Sequence, residues 1–171
     1  FDGPLFGIRD LTQIHIFDHH NPPPVSLEGM PCIHTAPSLR KVGDKWEKIC
    51  VGTTTSTRMD RFTPGLIGQY GGRAIIGKGG LYQGSLDAMQ KYGAVYLAIV
   101  GGAAALETEQ IEEVEAVYFE ELHPEALYRF RVKNFGPLTV AMDSHGVHLY
   151  DQVTENVKKK LPEIYAKLGV L

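Results

Sequence analysis

Apolar residues recur along this chain with two spacings, which predict an alternation of β-strands and α-helices. Continuous or alternating apolar positions predict strands over residues 26–34, 37–51, 73–76, 94–100, 114–119, 126–132 and 138–142. The run at 94–100 is continuously apolar, as in strands that are buried on both faces of an α/β sheet. A mixed sheet is therefore expected.

Helices are predicted in three further segments. Thr63 and Pro64 are typical of a helix start, with threonine as the N-cap and proline at the first helical position. Residues 85–92 repeat apolar side chains at helical intervals. Residues 152–168 predict an amphipathic closing helix, which Pro162 should bend or restart because its ring clashes with the preceding turn. Together with the strands, these helices indicate an α/β fold.

Composition indicates one globular domain, residues 1–171, with 43% hydrophobic and 22% charged residues. The formal net charge is −3 and the charges are scattered, so a nucleic-acid-binding face is not expected. No apolar run reaches the roughly 20 residues that span a bilayer, and no signal-peptide pattern is visible. A cytoplasmic location without membrane contact is therefore predicted. The acidic segment 107–115 is expected to be a solvated surface.

Cysteines and histidines form no local metal or disulfide motif. Cys32 and Cys50 are too few for a secreted disulfide scaffold and form no CxxC pair, and both are expected to be buried. Four histidines lack the spacing that would aim them at one metal ion and are expected to be solvated loop residues: His15, His19, His20 and His34. A metal site on these side chains is therefore not favoured.

Two polar segments carry the candidate chemistry. The first is Gly52-Thr53-Thr54-Thr55-Ser56-Thr57-Arg58-Met59-Asp60, in which five consecutive hydroxyl residues follow a glycine. The second is Ala74-Ile75-Ile76-Gly77-Lys78-Gly79-Gly80, in which an apolar strand ends in a lysine set among glycines. Hydroxyl groups and uncovered backbone amides bind small anions, so the two segments are predicted to share one anion site.

Arg58 and Lys78 favour a dicarboxylate as the ligand. A guanidinium group binds one carboxylate with two parallel hydrogen bonds, and an ammonium group neutralises a second. If the segment turns from a strand into a helix, Thr54 lies one helical turn from Arg58 and within reach of the bound carbon skeleton. Two alternatives stay open: an ordinary turn in which Arg58 pairs with Asp60 or Asp87, and a nucleotide loop, which the missing Walker spacing disfavours.

The order of these segments resembles the β-subunit, or C-terminal domain, of the class I iron–sulfur hydro-lyases, the fumarase and L(+)-tartrate dehydratase family. Members of that family read G-P-T-T-x-x-R-M-D followed by a strand and G-K-G. Residues 52–60 and 77–79 stand in that order, with Thr53 in place of the usual proline. Residues 101–106 and 156–162 are also similar to the family, so the resemblance covers nearly the whole chain.

The resemblance implies a swivelling β/β/α domain and a set of site residues. By this resemblance Thr54 matches the family's proposed catalytic base, and Arg58 and Lys78 match its substrate ligands, with Thr55 as a further substrate-binding residue. The family's N-terminal T-A-R-D-A-A-H segment is matched only in its R-D core. Arg9 is therefore carried over as a weaker match, as a third carboxylate ligand.

The resemblance also implies a cofactor and a partner. Family members work with a [4Fe–4S] cluster, which needs at least three thiolates, and this chain has only Cys32 and Cys50. The cluster is therefore expected on an α-subunit that brings three cysteines, in an α2β2 assembly. Reversible hydration of fumarate to malate is the first prediction. The alternatives are an L(+)-tartrate dehydratase β-subunit, since both enzymes act on four-carbon dicarboxylates, and a domain that binds small carboxylates without chemistry.

Overall fold

Strands and helices alternate along residues 1–170, the part of the chain that this computed structural model describes. The strands are β1 (Gly3–Ile8), β2 (Pro31–His34), β3 (Ser38–Val42), β4 (Lys45–Cys50), β5 (Ala74–Gly77), β6 (Val95–Ala98), β7 (Ile111–Tyr118), β8 (Leu127–Val132) and β9 (Thr139–Met142). The α-helices are α1 (Asp10–Phe17), α2 (Thr63–Gly68), α3 (Gln83–Tyr92), α4 (Ala104–Glu109) and α5 (Leu149–Leu168). Two short 3-10 helices cover Ser56–Phe62 and Glu120–Leu122.

Seven of the strands form one mixed sheet in the order β7-β8-β1-β2-β5-β6-β9. The four central strands, β1, β2, β5 and β6, are parallel to one another, whereas β7, β8 and β9 pair antiparallel at the two sides. Strands β3 and β4 form a separate hairpin. Because parallel strands end at the same edge, the chain leaves β1, β2, β5 and β6 on one side of the molecule.

Both faces of the central sheet are covered by apolar side chains. Successive residues of a strand point to opposite faces, so Phe6, Cys32 and Ile75 join one core cluster, whereas Ile33 and Ile76 join the other. Helices α2 and α3 contribute to the first cluster, and strands β7 and β8 contribute to the second. This double coverage explains why β5 and β6 have no charged side chains.

The predicted α/β class, the mixed sheet and the C-terminal helix are confirmed. Strand β1 was not predicted, because glycine and proline interrupt its sequence GPLFGI. Thr63 is the first residue of α2 and not its N-cap, which is Phe62. Cys32 is buried as predicted, but the prediction for Cys50 is wrong, because this residue ends β4 on the hairpin and is exposed.

The acidic segment 107–115 is only partly a solvated surface. Glu109, Glu112 and Glu113 are exposed, but Glu107 lies on the inner side of α4 and is 1% exposed. His34 is also fully buried at the end of β2, contrary to the expectation of a solvated loop residue. These two polar residues lie beside the candidate site described below.

The C-terminal helix α5 is less embedded than the sequence suggests. The helix continues through Pro162 without a break. None of its residues is buried. Apolar side chains spaced along it stay about half exposed, among them Val153, Val157 and Ile164. Among residues 1–170, no helix is both long enough and apolar enough to cross a membrane.

Candidate active site

The polar segments predicted from the sequence lie at the edge where the central parallel strands end. Arg9 follows β1, and the lysine loop, residues 77–80, follows β5. The hydroxyl segment, residues 53–57, leaves the β3–β4 hairpin and crosses the ends of β2 and β5. Open α/β sheets bind ligands at this edge, so the topology brings the candidate residues to a place where a ligand site is expected.

Backbone contacts join the hydroxyl segment to its two neighbouring strand ends. The Thr54 amide donates a hydrogen bond to the His34 carbonyl oxygen, with the two atoms 2.6 Å apart. The Ser56 amide donates to the Lys78 carbonyl oxygen at 2.9 Å, and Thr55 and Lys78 form an isolated parallel bridge. The two predicted segments therefore lie side by side, and Thr54, Thr55 and Lys78 are neighbours. Their role as ligands of one anion stays a prediction.

Arg9 and Arg58 share the carboxylate of Asp10. Arg58 Nη2 lies 3.1 Å and Arg9 Nε lies 3.3 Å from the same oxygen, Asp10 Oδ2. Arg9 Nη1 also lies 3.4 Å from Glu125 Oε1. Asp10 Oδ2 is buried without a well-aligned hydrogen bond, so charge attraction holds this cluster together. The Arg58 side chain is 54% exposed and keeps guanidinium nitrogens open to a further carboxylate.

Lys78 lies beside a buried carboxyl group. Glu107 is 1% exposed, and its Oε2 accepts a hydrogen bond of 2.7 Å from Thr53 Oγ1. Burial raises the pKa of Glu107, while the Thr53 hydrogen bond and the positive charge of Lys78 act in the opposite direction. Lys78 itself is half-buried and makes no ion pair with another side chain of residues 1–170. Among residues 1–170, Lys78 is thus the one candidate cation without a salt bridge, although its charge acts on Glu107.

A buried hydrogen-bond chain lies beneath the hydroxyl segment. His34 Nδ1 and the Tyr96 hydroxyl each lie 2.9 Å from Ser56 Oγ, and the Tyr96 hydroxyl also lies 3.2 Å from the Gly79 carbonyl oxygen. His34, Ser56 and Tyr96 are each 0% exposed. Burial lowers the pKa of His34 to about 3, so its imidazole is neutral at physiological pH. Nε2 of this imidazole is buried without a partner.

The local structure differs in one respect from the predicted strand-to-helix turn. The 3-10 helix begins at Ser56, so Thr54 precedes it while Arg58 lies within it. The alternative partners of Arg58 are also excluded, because Asp60 accepts hydrogen bonds from the Tyr82 amide and Ser85 Oγ, and Asp87 pairs with Gln83. Sequence reasoning missed the neighbours that only tertiary structure brings to this edge: Asp10, His34, Tyr96, Glu107 and Glu125.

The cysteines of this chain do not fit an iron–sulfur cluster. Cys32 lies in the core, where burial raises the pKa of its thiol to about 12, whereas Cys50 is exposed at the end of the hairpin. A thiol must be deprotonated to bind iron, and a cluster needs at least three such ligands. Within residues 1–170, no group of three or more His, Cys, Asp or Glu side chains is arranged to hold a metal ion.

Exposed apolar side chains stand next to the candidate residues in the sequence. Leu11 follows Asp10, Tyr82 donates its amide to Asp60, and Val100 precedes the glycine that lies against the Lys78 stem. Their exposed fractions are 47%, 63% and 68%. Large apolar side chains around a polar site are typical of a surface that another protein covers.

Comparison with known proteins relates most of the chain to one group. The sequence model of the family described as Fumarase C-terminus matches residues 1–153. The L(+)-tartrate dehydratase subunit beta of Escherichia coli (strain K12) is 40% identical over 157 residues, which cover 91% of this chain and 77% of that protein. A putative L(+)-tartrate dehydratase subunit beta of Methanocaldococcus jannaschii is 39% identical over 168 residues, 95% of this chain and 86% of that protein. A putative fumarate hydratase class I of Geobacillus stearothermophilus is 36% identical over 164 residues, 95% of this chain but 31% of that protein.

Proposed function

Because the chain belongs to the Fumarase C-terminus family, we propose that it is the β-type subunit of a class I hydro-lyase, which adds water to fumarate or removes it from a hydroxylated four-carbon dicarboxylate. The observation that supports this proposal is that the hydroxyl segment, which carries Thr54 and Arg58, lies against the lysine loop at the carboxyl edge of the sheet. In this role the chain supplies the groups that bind the substrate carboxylates.

Each of the three residues has a distinct proposed task. Arg58 binds one substrate carboxylate through its open guanidinium nitrogens, and Lys78 neutralises the other. Proton removal next to a carboxylate makes a doubly negative aci-carboxylate, which the same two cations stabilise. The Thr54 hydroxyl is the proposed base, and the nearby positive charges favour its alkoxide. Thr55 and Arg9 complete the substrate-binding set, Arg9 through the charge that it adds beside Asp10.

We assign the [4Fe–4S] cluster to an α-subunit, because the two cysteines of this chain do not fit one. The names of the relatives from Escherichia coli and Methanocaldococcus jannaschii, each a subunit beta, support such a partner. The exposed Leu11, Tyr82 and Val100 support a contact surface around the site. An α2β2 assembly in the cytoplasm stays a prediction from the family resemblance.

The test is reconstitution of the complete enzyme. The chain is co-expressed with a candidate α-subunit that carries three cluster cysteines, the complex is purified and reconstituted with iron and sulfide without oxygen, and hydration of fumarate and dehydration of malate and tartrate are measured. We expect turnover by the complex and none by either chain alone. A verified complex with a filled cluster and no turnover of any of the three substrates would contradict the proposal.

Arg58→Ala and Lys78→Ala test the carboxylate-binding residues. Each should lower kcat/KM by about a hundredfold or more, since loss of one preorganised charge partner of a developing anion has that order of effect. Arg61→Ala is the matched control, because Arg61 lies on the same 3-10 helix and pairs with Asp18 at 2.5 Å. Equal kinetics of Arg58→Ala and Arg61→Ala would argue against a role of Arg58 in substrate binding.

Two candidate functions differ in their substrate, fumarate or tartrate. Fumarate hydration is our first prediction, while the names of the Escherichia coli and Methanocaldococcus jannaschii relatives favour tartrate. The ratio of kcat/KM for the two substrates decides between them. Calorimetry on the isolated chain tests the third reading, a carboxylate-binding domain without chemistry, which requires tight dicarboxylate binding in the absence of any partner.

A further inference from the structure

We propose that His34, Ser56 and Tyr96 are positioning residues of this site, and that their buried hydrogen-bond chain fixes the hydroxyl segment against the lysine loop. The inference rests on the proposed function, since it concerns how the substrate-binding groups of that site are held. His34 and Tyr96 were not among the site residues predicted from the sequence, and Ser56 was predicted only as part of the hydroxyl segment. All three are fully buried, so they act through other residues and not on the substrate itself.

Ser56 is the residue at which the two halves of the site meet. Its amide donates to the Lys78 carbonyl oxygen, and its side-chain oxygen lies 2.9 Å from both His34 Nδ1 and the Tyr96 hydroxyl. Tyr96 extends the chain to the Gly79 carbonyl oxygen at 3.2 Å. One side-chain hydroxyl is therefore connected to the end of β2, to β6 and to the lysine loop.

His34 holds the same segment a second time through its backbone. Its carbonyl oxygen accepts the hydrogen bond of the Thr54 amide at 2.6 Å, while its ring contacts Ser56 two residues later. The orientation of the proposed base therefore depends on where β2 places this one histidine. A buried, neutral imidazole keeps that hydrogen bond without a net charge in the core.

Ser56 Oγ is packed so closely against Gly77 that no side chain fits at position 77. A Cβ atom added to Gly77 would overlap with Ser56 Oγ and would lie 3.0 Å from the Tyr96 hydroxyl oxygen. Glycine at this position thus allows the hydroxyl group to fit between the ring of Tyr96 and the start of the lysine loop. The hydrogen bonds of His34 Nδ1, Ser56 Oγ and the Tyr96 hydroxyl restrict the geometry in which the two segments meet.

Four variants separate hydrogen bonding from packing. Ser56→Ala removes the central hydroxyl group, and Tyr96→Phe removes one end of the chain without changing the ring. His34→Asn keeps a polar atom near the position of Nδ1, whereas His34→Leu does not. Tyr128→Phe is the matched control, because Tyr128 is also 0% exposed and its hydroxyl donates to the Pro124 carbonyl oxygen at 2.8 Å in the other core cluster.

Two measurements are made on these variants. Amide hydrogen exchange by NMR on the isolated chain reports local opening at Thr54 and Ser56, and kcat and KM are measured in the complex with the α-subunit. For Ser56→Ala and Tyr96→Phe we expect exchange at these two amides to be about tenfold faster, with the amides of the central strands unchanged. Displacement of a catalytic group by a fraction of an ångström lowers rates strongly, so kcat should fall by about tenfold to a hundredfold.

Tyr128→Phe and the two His34 variants decide whether the buried hydrogen bonds position the site or only contribute to packing. Tyr128→Phe should leave both exchange and kcat within about twofold of the unchanged protein, even where its melting temperature falls as much as that of Tyr96→Phe. His34→Asn should retain most of the kcat that His34→Leu loses. Unchanged exchange and kcat in Ser56→Ala and Tyr96→Phe, or equal losses in Tyr128→Phe, would overturn the inference. Absence of any turnover by the unchanged complex would instead refute the proposed function. The amide exchange rates at Thr54 and Ser56 would then still test the role of the hydrogen-bond chain.

Discussion

Thr53 stands where relatives of this fold are expected to have proline, and the structure gives it a partner that proline could not have. Its hydroxyl donates to Glu107, a carboxyl group that is 1% exposed. We predict that Thr53→Val, which replaces the hydroxyl by a methyl group of similar size, destabilises the protein. A hydrogen bond to a charged group contributes about 1.5–3 kcal/mol, because its loss leaves the buried partner desolvated.

The size of this effect should depend on pH in a defined direction. Burial raises the pKa of Glu107, so the folded protein binds more protons than the unfolded chain between the unfolded and the folded pKa. Stability therefore falls as the pH rises through that interval. Thr53 opposes the shift by favouring the carboxylate, so Thr53→Val moves the folded pKa further up. The loss of unfolding free energy should be smallest below the unfolded pKa and should grow as the pH rises.

Thermal unfolding of the isolated chain between about pH 4 and pH 8 measures this dependence. For a chain of 171 residues, about 2 kcal/mol corresponds to a fall of about 4–8 °C in melting temperature. Glu107→Gln is the control background, because it removes the charge and should reduce the effect of Thr53→Val by about 1 kcal/mol or more. A loss that is the same at every pH, or the same with glutamine at 107, would show that the hydroxyl does not support a buried carboxylate.

Three other outcomes follow from burial and close contact. Gly77→Ala should reduce the unfolding free energy in urea by about 1–3 kcal/mol, since the added methyl group overlaps with Ser56 Oγ; no loss would show that this contact relaxes freely. In the native isolated chain a thiol reagent should modify Cys50 and not Cys32, whereas both should react after denaturation; two fast thiols in the native chain would contradict the burial of Cys32. Removal of residues 154–170 should change the unfolding free energy of the isolated chain by less than about 1 kcal/mol, because none of the α5 side chains is buried, and a larger loss in urea titration would contradict this.

Local pattern was sufficient for most of the fold. Strands β5 and β6 contain no charged side chain because both faces of the sheet are covered. Helix α3 ends at Gly93 because only glycine readily takes the left-handed conformation of its C-cap. Strand β1 was not predicted because its extended conformation depends on tertiary pairing. It pairs with β2 on one side and with β8 on the other. Half of its six residues are glycine or proline, which are depleted in strands.

The candidate site was predictable only as far as its residues are contiguous in the sequence. The hydroxyl segment and the lysine loop are each a recognisable run in the sequence. In the structure they are joined by the parallel bridge between Thr55 and Lys78 at the end of β5. Asp10, the partner of Arg58, comes from a distant helix start and could not be preferred to the nearby Asp60 from sequence alone. Glu107 looked solvated because it begins an acidic run, but it is the one residue of α4 that is buried.

The charge balance of the candidate site supports the proposal that this chain supplies only part of the site. Arg9 and Arg58 share the carboxylate of Asp10, and Arg9 also contacts Glu125, so the chain's own acids already neutralise much of the arginine charge. A dicarboxylate that binds Arg58 must share it with Asp10, which weakens binding to the isolated chain. Lys78, with no ion-pair partner among residues 1–170, retains the charge that a second carboxylate requires. We therefore propose that tight binding needs a further positive group or metal ion from a partner, and that this partner covers the exposed apolar side chains beside the site.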